Sequence, residues 1–347
     1  MQLHNLKPRN VLVRMPNWIG DLVMATPVLL DLRAAFPQAT LTAMAPSPLS
    51  ELLEEDPSID ELFSFTRSRN PFSRRENRDI VAKLSQGDFD ASILLTNSFS
   101  SAWLFWQGKI PCRIGFRGDG RNFLLTHPVD RPKEKWHQVD LYKKLLEPLG
   151  ISRSSTAPRL FLLESELQQV RELLRQRGVQ RGDLLVGMHA GASFGPAKRW
   201  PAENFRLLAK ALAEKGVWIL FFGDAVESSF VKEICSEMPQ NVINLAGLTS
   251  LRELSCLIHE CHLLITNDSG PMHIGAAVGT ELIALFGSTD EKVTGPYLRP
   301  DAVLRKAVPC APCLRRVCPI HFPCMKEIGV EEVKERALQK LSKSRPR

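Results

Sequence analysis

The sequence predicts an α/β protein built from two doubly wound domains. Three observations carry this. Strand-like apolar runs alternate with helix-like segments in both halves of the chain, the pattern of parallel sheets covered by helices on both faces. A polar stretch ending in proline, GISRSSTAP at Gly150–Pro158, separates the halves and reads as a linker. Several apolar runs end in a loop rich in glycine, serine or acid that opens a helix, which is where open α/β sheets bind ligands. The 347 residues suffice for two domains with a core in each, and two such domains would form a cleft between their strand ends.

In the first half, Asn10–Arg14 reads as a strand, Leu22–Phe36 as a helix and Thr40–Ala45 as a second strand. Asp90–Leu95 and Arg113–Gly115 suggest further short strands. The second half is cleaner. Strands are expected at Leu184–His189, Val217–Phe222, Asn241–Leu245, His262–Thr266 and Glu281–Phe286. Helices are expected at Glu203–Lys215, Ala225–Met238, Leu251–Cys261 and Met272–Val278. No internal repeat and no low-complexity tract interrupts either half.

Composition narrows the function. Apolar residues make up 44% of the chain, an ordinary share for a globular protein. No apolar run reaches the roughly 18 residues of a membrane span, and the start, MQLHNLKPRN, lacks the apolar core of a signal peptide. A cytoplasmic location is therefore expected. The formal charge of +7 favours anionic partners such as nucleotide sugars or an acidic membrane face. Basic residues gather at Arg67, Arg69, Arg74, Arg75 and Arg78, at Arg113, Arg117 and Arg121, and from Lys334 to Arg347. Few aromatics interleave with them, which argues against nucleic acid; a solvated face remains the other reading.

The loops carry the chemistry. TNDSGPMHIGAAVG, Thr266–Gly279, takes a strand into a small-residue helix whose first amides and dipole suit a phosphate. Asp268, Ser269, Gly270 and His273 lie at that turn, and a plain helix cap by Asp268 or Ser269 is the alternative. A hydrolase triad of Ser269, His273 and Asp268 is excluded by their closeness in sequence and by the lack of a G-x-S-x-G elbow. HAGASFGPAKRWP, His189–Pro201, adds a hydroxyl at Ser193 and a cation at Lys198, a phosphate-cradling chemistry unless it is a mobile surface loop. It is neither G-x-G-x-x-G nor a Walker loop, against NAD and ATP hydrolysis. In FFGDAVE, Phe221–Glu227, Glu227 can accept from ribose hydroxyls or serve as an acid at a helix start. Together the three loops describe a nucleoside-diphosphate site. In the first half, MPNWIGDLVMATP, Met15–Pro27, sets Asp21 among apolar neighbours where a strand hands over to a helix, as a reactive carboxylate or an N-cap.

Of eight cysteines, Cys112, Cys235, Cys256 and Cys261 sit in apolar contexts and read as core thiols. Cys310, Cys313, Cys318 and Cys324 cluster near the end. Their count fits a structural zinc or another metal, with His321 as a fifth candidate, but their spacing is not a paired C-x-x-C set, so free thiols or disulfides stay open.

WIGDLVMATP, NSFSSA at Asn97–Ala102, GASFGPAKRWP and TNDSGPMHIGAA occur in this order along nearly the whole chain. With them the sequence resembles the ADP-heptose:lipopolysaccharide heptosyltransferases, glycosyltransferase family 9, and within it the heptosyltransferase II branch. The resemblance implies the GT-B architecture, two Rossmann-like domains facing across a cleft. It implies an inverting transfer of heptose from ADP-heptose to the lipopolysaccharide inner core, with no metal required for catalysis. Asp21 then matches the proposed catalytic base, Lys198 the lysine at the donor diphosphate, Glu227 the acid at the ribose and Asp268 the acid near the donor heptose. Ser269, Gly270 and His273 match the phosphate-facing turn, and Ser193 matches more loosely. Residues 1–155 would form the acceptor-binding domain and 160–325 the donor-binding domain. Residues 326–347 would be a helix and basic tail that packs back on the N-terminal domain. Arg67, Arg69, Arg117 and Arg121 would meet the phosphates and carboxylates of the acceptor. The protein would work at the inner membrane, held by charge. A family 9 relative with another donor or acceptor, or a nucleotide-binding protein without activity, are the competing expectations.

Overall fold

The computed structural model describes residues 7–66 and 74–343. The chain divides into two compact units, Met1–Phe161 and Leu162–Arg347.

The first unit contains β1 (Asn10–Arg14), α1 (Ile19–Ala35), β2 (Thr40–Pro46), β3 (Glu61–Phe65), α2 (Arg74–Gln86), β4 (Ala91–Leu94), α3 (Phe99–Gln107), β5 (Cys112–Phe116), β6 (His127–Val129) and α4 (Gln138–Lys144). Its strands form one sheet in the order β3-β2-β1-β4-β5-β6. Every pairing is parallel, with Val11 opposite both Leu41 and Ala91. β1 and β4 read as nearly unbroken apolar runs because both of their faces are covered. α1 is buried along Leu22–Leu29, so it shows no polar stripe at helical spacing. β3 and α2 escaped the sequence reading. β3 is an edge strand with exposed positions at Glu61 and Ser64, and α2 has few apolar residues to mark a period.

Gly150–Pro158 has no regular secondary structure, but it is not a free spacer. Asp31 accepts from the hydroxyls of Ser154 and Thr156, each at 2.7 Å. The buried Lys143 ammonium donates to the carbonyls of Ser154 and Thr156 at 3.0 and 2.6 Å. The stretch therefore belongs to the first unit.

The second unit contains α5 (Glu164–Gln176), β7 (Leu185–His189), α6 (Ala202–Ala213), β8 (Trp218–Phe222), α7 (Ser228–Ile234), β9 (Val242–Asn244), α8 (Leu251–Glu260), β10 (Leu263–Asn267), α9 (Gly270–Ala277), β11 (Glu281–Phe286), α10 (Glu291–Thr294), β12 (Val303–Arg305), α11 (Pro323–Lys326) and α12 (Val330–Leu341). Its parallel sheet runs β12-β11-β10-β7-β8-β9, the first unit's winding repeated. α7 is shorter than the expected Ala225–Met238. Asp224 Oδ1 accepts from the Glu227 amide at 2.9 Å, which makes a separate turn before the helix, and Glu237 at φ 59° follows its end.

Val333, Ala337 and Leu341 of α12 are buried in the second unit's core with Trp200, Phe205 and Leu285. The physical reason is that these three side chains recur one helical turn apart and form a single dry stripe, and α6 and β11 supply its cover. Residues 344–347 of the basic tail lie outside the described residues. Among the described residues no helix is long and apolar enough to cross a membrane.

Candidate active site

Each sheet reverses its strand order at one place, between β1 and β4 in the first unit and between β7 and β10 in the second. Loops at the carboxyl ends of those strands diverge and leave room for a ligand. In the second unit they are the segments after His189 and after Asn267. Asn267 ties them together: its amide donates to the carbonyls of Ala190 at 2.8 Å and Gly191 at 3.2 Å, and its Oδ1 accepts from the Trp200 amide at 3.0 Å. Trp200 is wholly buried, with its indole N–H on the Ile328 carbonyl at 2.9 Å. The Ser193–Lys198 loop is therefore pinned at both ends.

Two polar chains run through this site. In one, the Lys198 ammonium lies 2.6 Å from Asp268 Oδ2, and Thr289 donates to the same oxygen at 2.5 Å. In the other, Ser269 Oγ meets His189 Nδ1 at 3.1 Å, and His189 Nε2 meets Glu227 Oε2 at 3.3 Å. Glu227 is buried, which pushes its carboxyl up. The His189 hydrogen bond and charge, the Asp224 amide and Arg199 outweigh this and hold it below the usual glutamate range. Gly191 is needed here: a Cβ on it would lie 1.8 Å from Glu227 Oε1. Ser269 is the N-cap residue of α9 and Gly270 its first residue, but the Ser269 side chain makes no capping bond, since it faces His189 and Thr266. The simple cap reading of Ser269 thus fails. His273 is buried one turn into α9, and Ser193 is exposed.

In the first unit, Asp21 is the third residue of α1, half-buried; the N-cap is Trp18, so Asp21 is not the cap. Tyr142 on α4 donates its hydroxyl to Asp21 Oδ1 at 3.1 Å. Burial first, and then the Asp21 charge, push the Tyr142 hydroxyl well above its ordinary value, so it remains a donor.

The basic residues separate. Arg121 lies inside the fold: its guanidinium is wholly buried and donates to the carbonyls of Thr96 at 2.6 Å and Phe116 at 2.9 Å. Burial also pulls its pKa down to about 10. Arg117 is half exposed and paired with Asp130 at 3.0 Å. Arg67 and Arg69 lie outside the described residues.

The metal expectation at Cys310, Cys313, Cys318 and Cys324 gains no support: among the described residues no three His, Cys, Asp or Glu are arranged to hold an ion. Cys324 belongs to the buried core while Cys310 is exposed, and Cys318 Sγ accepts from the Phe322 amide at 3.2 Å. Of the other thiols, Cys112, Cys256 and Cys261 are buried and Cys235 is partly so; burial pushes Cys112 and Cys256 up to about 11 and Cys235 to about 12.

His189, Asn267, Thr289 and Tyr142 were not singled out from the sequence. An imidazole at the last position of a strand was a legible signal for His189. The others become visible only when distant elements meet.

Two six-stranded parallel sheets wound alike, together with the likeness to solved structures, place the protein among glycosyltransferases of GT-B architecture. The chain is similar to the structure of the Escherichia coli ADP-heptose lps heptosyltransferase II, with TM-score 0.82, 29% identity and coverage of 96% of this chain and 98% of that one. It is similar to the family 9 glycosyl transferase of Veillonella parvula, with TM-score 0.86, 26% identity and 99% of each chain covered. It is 33% identical over 304 residues to lipopolysaccharide heptosyltransferase 2 of Escherichia coli K12, covering 85% of this chain and 87% of that protein. The family model "Glycosyltransferase family 9 (heptosyltransferase)" matches residues 78–322. The chain belongs to glycosyltransferase family 9.

Proposed function

We propose that the protein moves heptose from ADP-L-glycero-D-manno-heptose to the inner core, heptosyl-Kdo-lipid A, in lipopolysaccharide biosynthesis, with inversion at the anomeric carbon. The observation that carries the donor side is the Lys198–Asp268 pair at the switch point of the second sheet, beside the start of α9. The named activities of the similar heptosyltransferases support the choice of sugar.

The chemistry needs a base for the acceptor hydroxyl and a sink for the charge on departing ADP. Asp21 is the base: it lies in the first turn of α1, where negative charge is favoured, and Tyr142 orients its carboxylate. As the acceptor oxygen bonds to the anomeric carbon, its proton passes to Asp21 and the bond to the ADP oxygen breaks. Lys198 and the α9 amides take up the diphosphate charge that this releases. Glu227, held ionised by its neighbours, accepts from ribose hydroxyls. Asp268 and Thr289 set Lys198 and face the sugar end. No step calls for a metal. Acceptor recognition is assigned to the first unit, with Arg67, Arg69 and Arg117 as its cations. The formal charge of +7 supports work at the cytoplasmic face of the inner membrane.

Incubation with ADP-heptose and defined truncated core acceptors tests this. Heptose should be transferred and ADP released in equal amounts, with chelator present. Turnover of a different sugar nucleotide, and none of ADP-heptose, would move the protein to another family 9 donor. Tight ADP binding with no transfer to any core acceptor would make it a binding protein.

A further inference from the structure

Lys198 alone is a poor match for a diphosphate. Its ammonium is held 2.6 Å from Asp268, with the two side chains only 12% and 4% exposed, so its charge is already met by a carboxylate. A nucleoside diphosphate carries more than one negative charge on its phosphates. A second cation near the same loop would complement that charge beside the α9 amides, and the segment bearing the terminal cysteines carries a candidate.

That segment is bound to the Lys198 loop and to the loop after β11. The Arg316 carbonyl accepts from the Ala197 amide at 3.0 Å. Gly195, at φ +148°, has no room for a side chain, since a Cβ would sit 2.6 Å from that carbonyl oxygen. Two residues earlier, the Leu314 amide donates to the Ser288 carbonyl at 2.7 Å. Ser288 adjoins Thr289, which holds Asp268. The Ser288 hydroxyl is itself buried without a hydrogen-bond partner among the described residues. At the far end Cys324 is buried in the core of the second unit. The backbone of Arg316 is thus tied to the residue just before Lys198.

Its side chain reaches the same aromatic ring as Lys198. The Arg316 guanidinium lies 5.3 Å from the centre of the Phe194 ring, and the Lys198 ammonium lies 4.8 Å from the same centre. Arg316 is exposed and, among the described residues, has no carboxylate partner. An arginine stacked on a ring keeps its fork of N–H groups free for a phosphate.

We propose that Arg316 is a second cation of the donor site and binds the diphosphate of the nucleotide beside Lys198. This rests on the reading of these loops as the donor site. It also accounts for the cysteine-bearing segment, which the transfer chemistry alone does not use. That segment is the strap that carries Arg316 to the Lys198 loop.

Calorimetric titration of ADP into the full chain, with chelator present, tests it. Arg316→Gln should weaken ADP binding about tenfold or more, the usual worth of a charge-assisted contact. Arg316→Lys, which keeps the charge, should recover most of that loss. Arg315→Gln, one residue away and also exposed, should bind ADP as the wild type does. The Arg316→Gln variant should also lose less affinity on raising salt than the wild type. Melting temperatures should match throughout, because the altered side chains are on the surface. Equal affinity of Arg316→Gln and wild type removes Arg316 from the site while the donor reading stands. Equal losses in Arg315→Gln and Arg316→Gln would mean a diffuse field and overturn the specific contact. A wild-type chain that binds no ADP overturns the donor reading and this inference with it.

Discussion

At the scale of single residues, Asp21 and Gly191 are the most exacting positions. Asp21→Asn retains an oxygen that can accept from Tyr142, and the helix keeps its N-cap residue Trp18. The fold should survive with little change in melting temperature. Transfer should fall by about 10²–10⁴-fold, the usual worth of a positioned general base. ADP affinity, measured by calorimetry, should hold, because the donor loops belong to the second unit. A well-folded Asn variant with near-normal turnover would show that another group takes the proton. Gly191→Ala works through space alone. Its methyl would fall 1.8 Å from Glu227 Oε1, so Glu227 must leave its place beside His189. ADP affinity should drop by about tenfold or more, equivalent to losing a hydrogen bond to a charged group. The same titration checks this, and unchanged affinity would take Glu227 out of the nucleotide site.

At the scale of elements, α5 is fastened to α8 by charge. Arg252 forks onto Glu166, with Nε to Oε1 at 2.8 Å, and Arg171 forks onto Glu260 with two contacts of 3.0 Å. The Arg252 hydrogen bond leads in holding Glu166 below its ordinary value. A carboxylate whose folded pKa is depressed contributes stability above its unfolded pKa, and that stability disappears as pH falls through the folded value. Glu166→Gln should therefore be less stable than the wild type at neutral pH, and the gap should close in the acid range, below the ordinary glutamate pKa. Thermal melts from pH 7 to pH 3 check this; a gap that stays constant would mean that packing, not charge, is at stake. Glu166 keeps part of its side chain in solvent, so screening keeps the effect small. Elements also show where sequence reading stops. Strands buried on both faces were legible as apolar runs: β1, β7, β8 and β10 lie within a residue or two of expectation. Edge strands and charged helices such as β3 and α2 were not, because packing, rather than periodicity, makes them.

At the scale of the whole molecule, ligand binding and folding are linked. A ligand that binds only the folded chain stabilises it by mass action, about 2.7 kcal/mol at 100 times its Kd. ADP with chelator present should raise the melting temperature in step with its concentration. Lys198→Ala should need roughly tenfold more ADP for the same rise. Hydrogen exchange should slow in His189–Lys198 and Asn267–Ala277. A melting temperature indifferent to ADP, or a rise that demands a divalent metal, would contradict the proposed donor site.

What the sequence by itself determined is the set of loops and the order in which they occur. Apolar runs marked the central strands, and the residues just beyond them, Lys198, Glu227, Asp268 and Ser269, could be picked out because a strand's carboxyl end is a local feature. Even the acid at Asp21 stood out, since a carboxylate among apolar neighbours costs energy unless it is used. Only the tertiary structure decided which of these groups meet. Lys198 and Asp268 are far apart in the chain and 2.6 Å apart in space. Tyr142 reaches Asp21, and Arg316 reaches Phe194, from elements with no local mark of their purpose. It also decided that Arg121, one arginine among many in the sequence, spends its guanidinium on buried carbonyls. The reason is the same in each case: a charge's role follows from burial and from its nearest partner, and both are set by contacts between residues far apart in the chain.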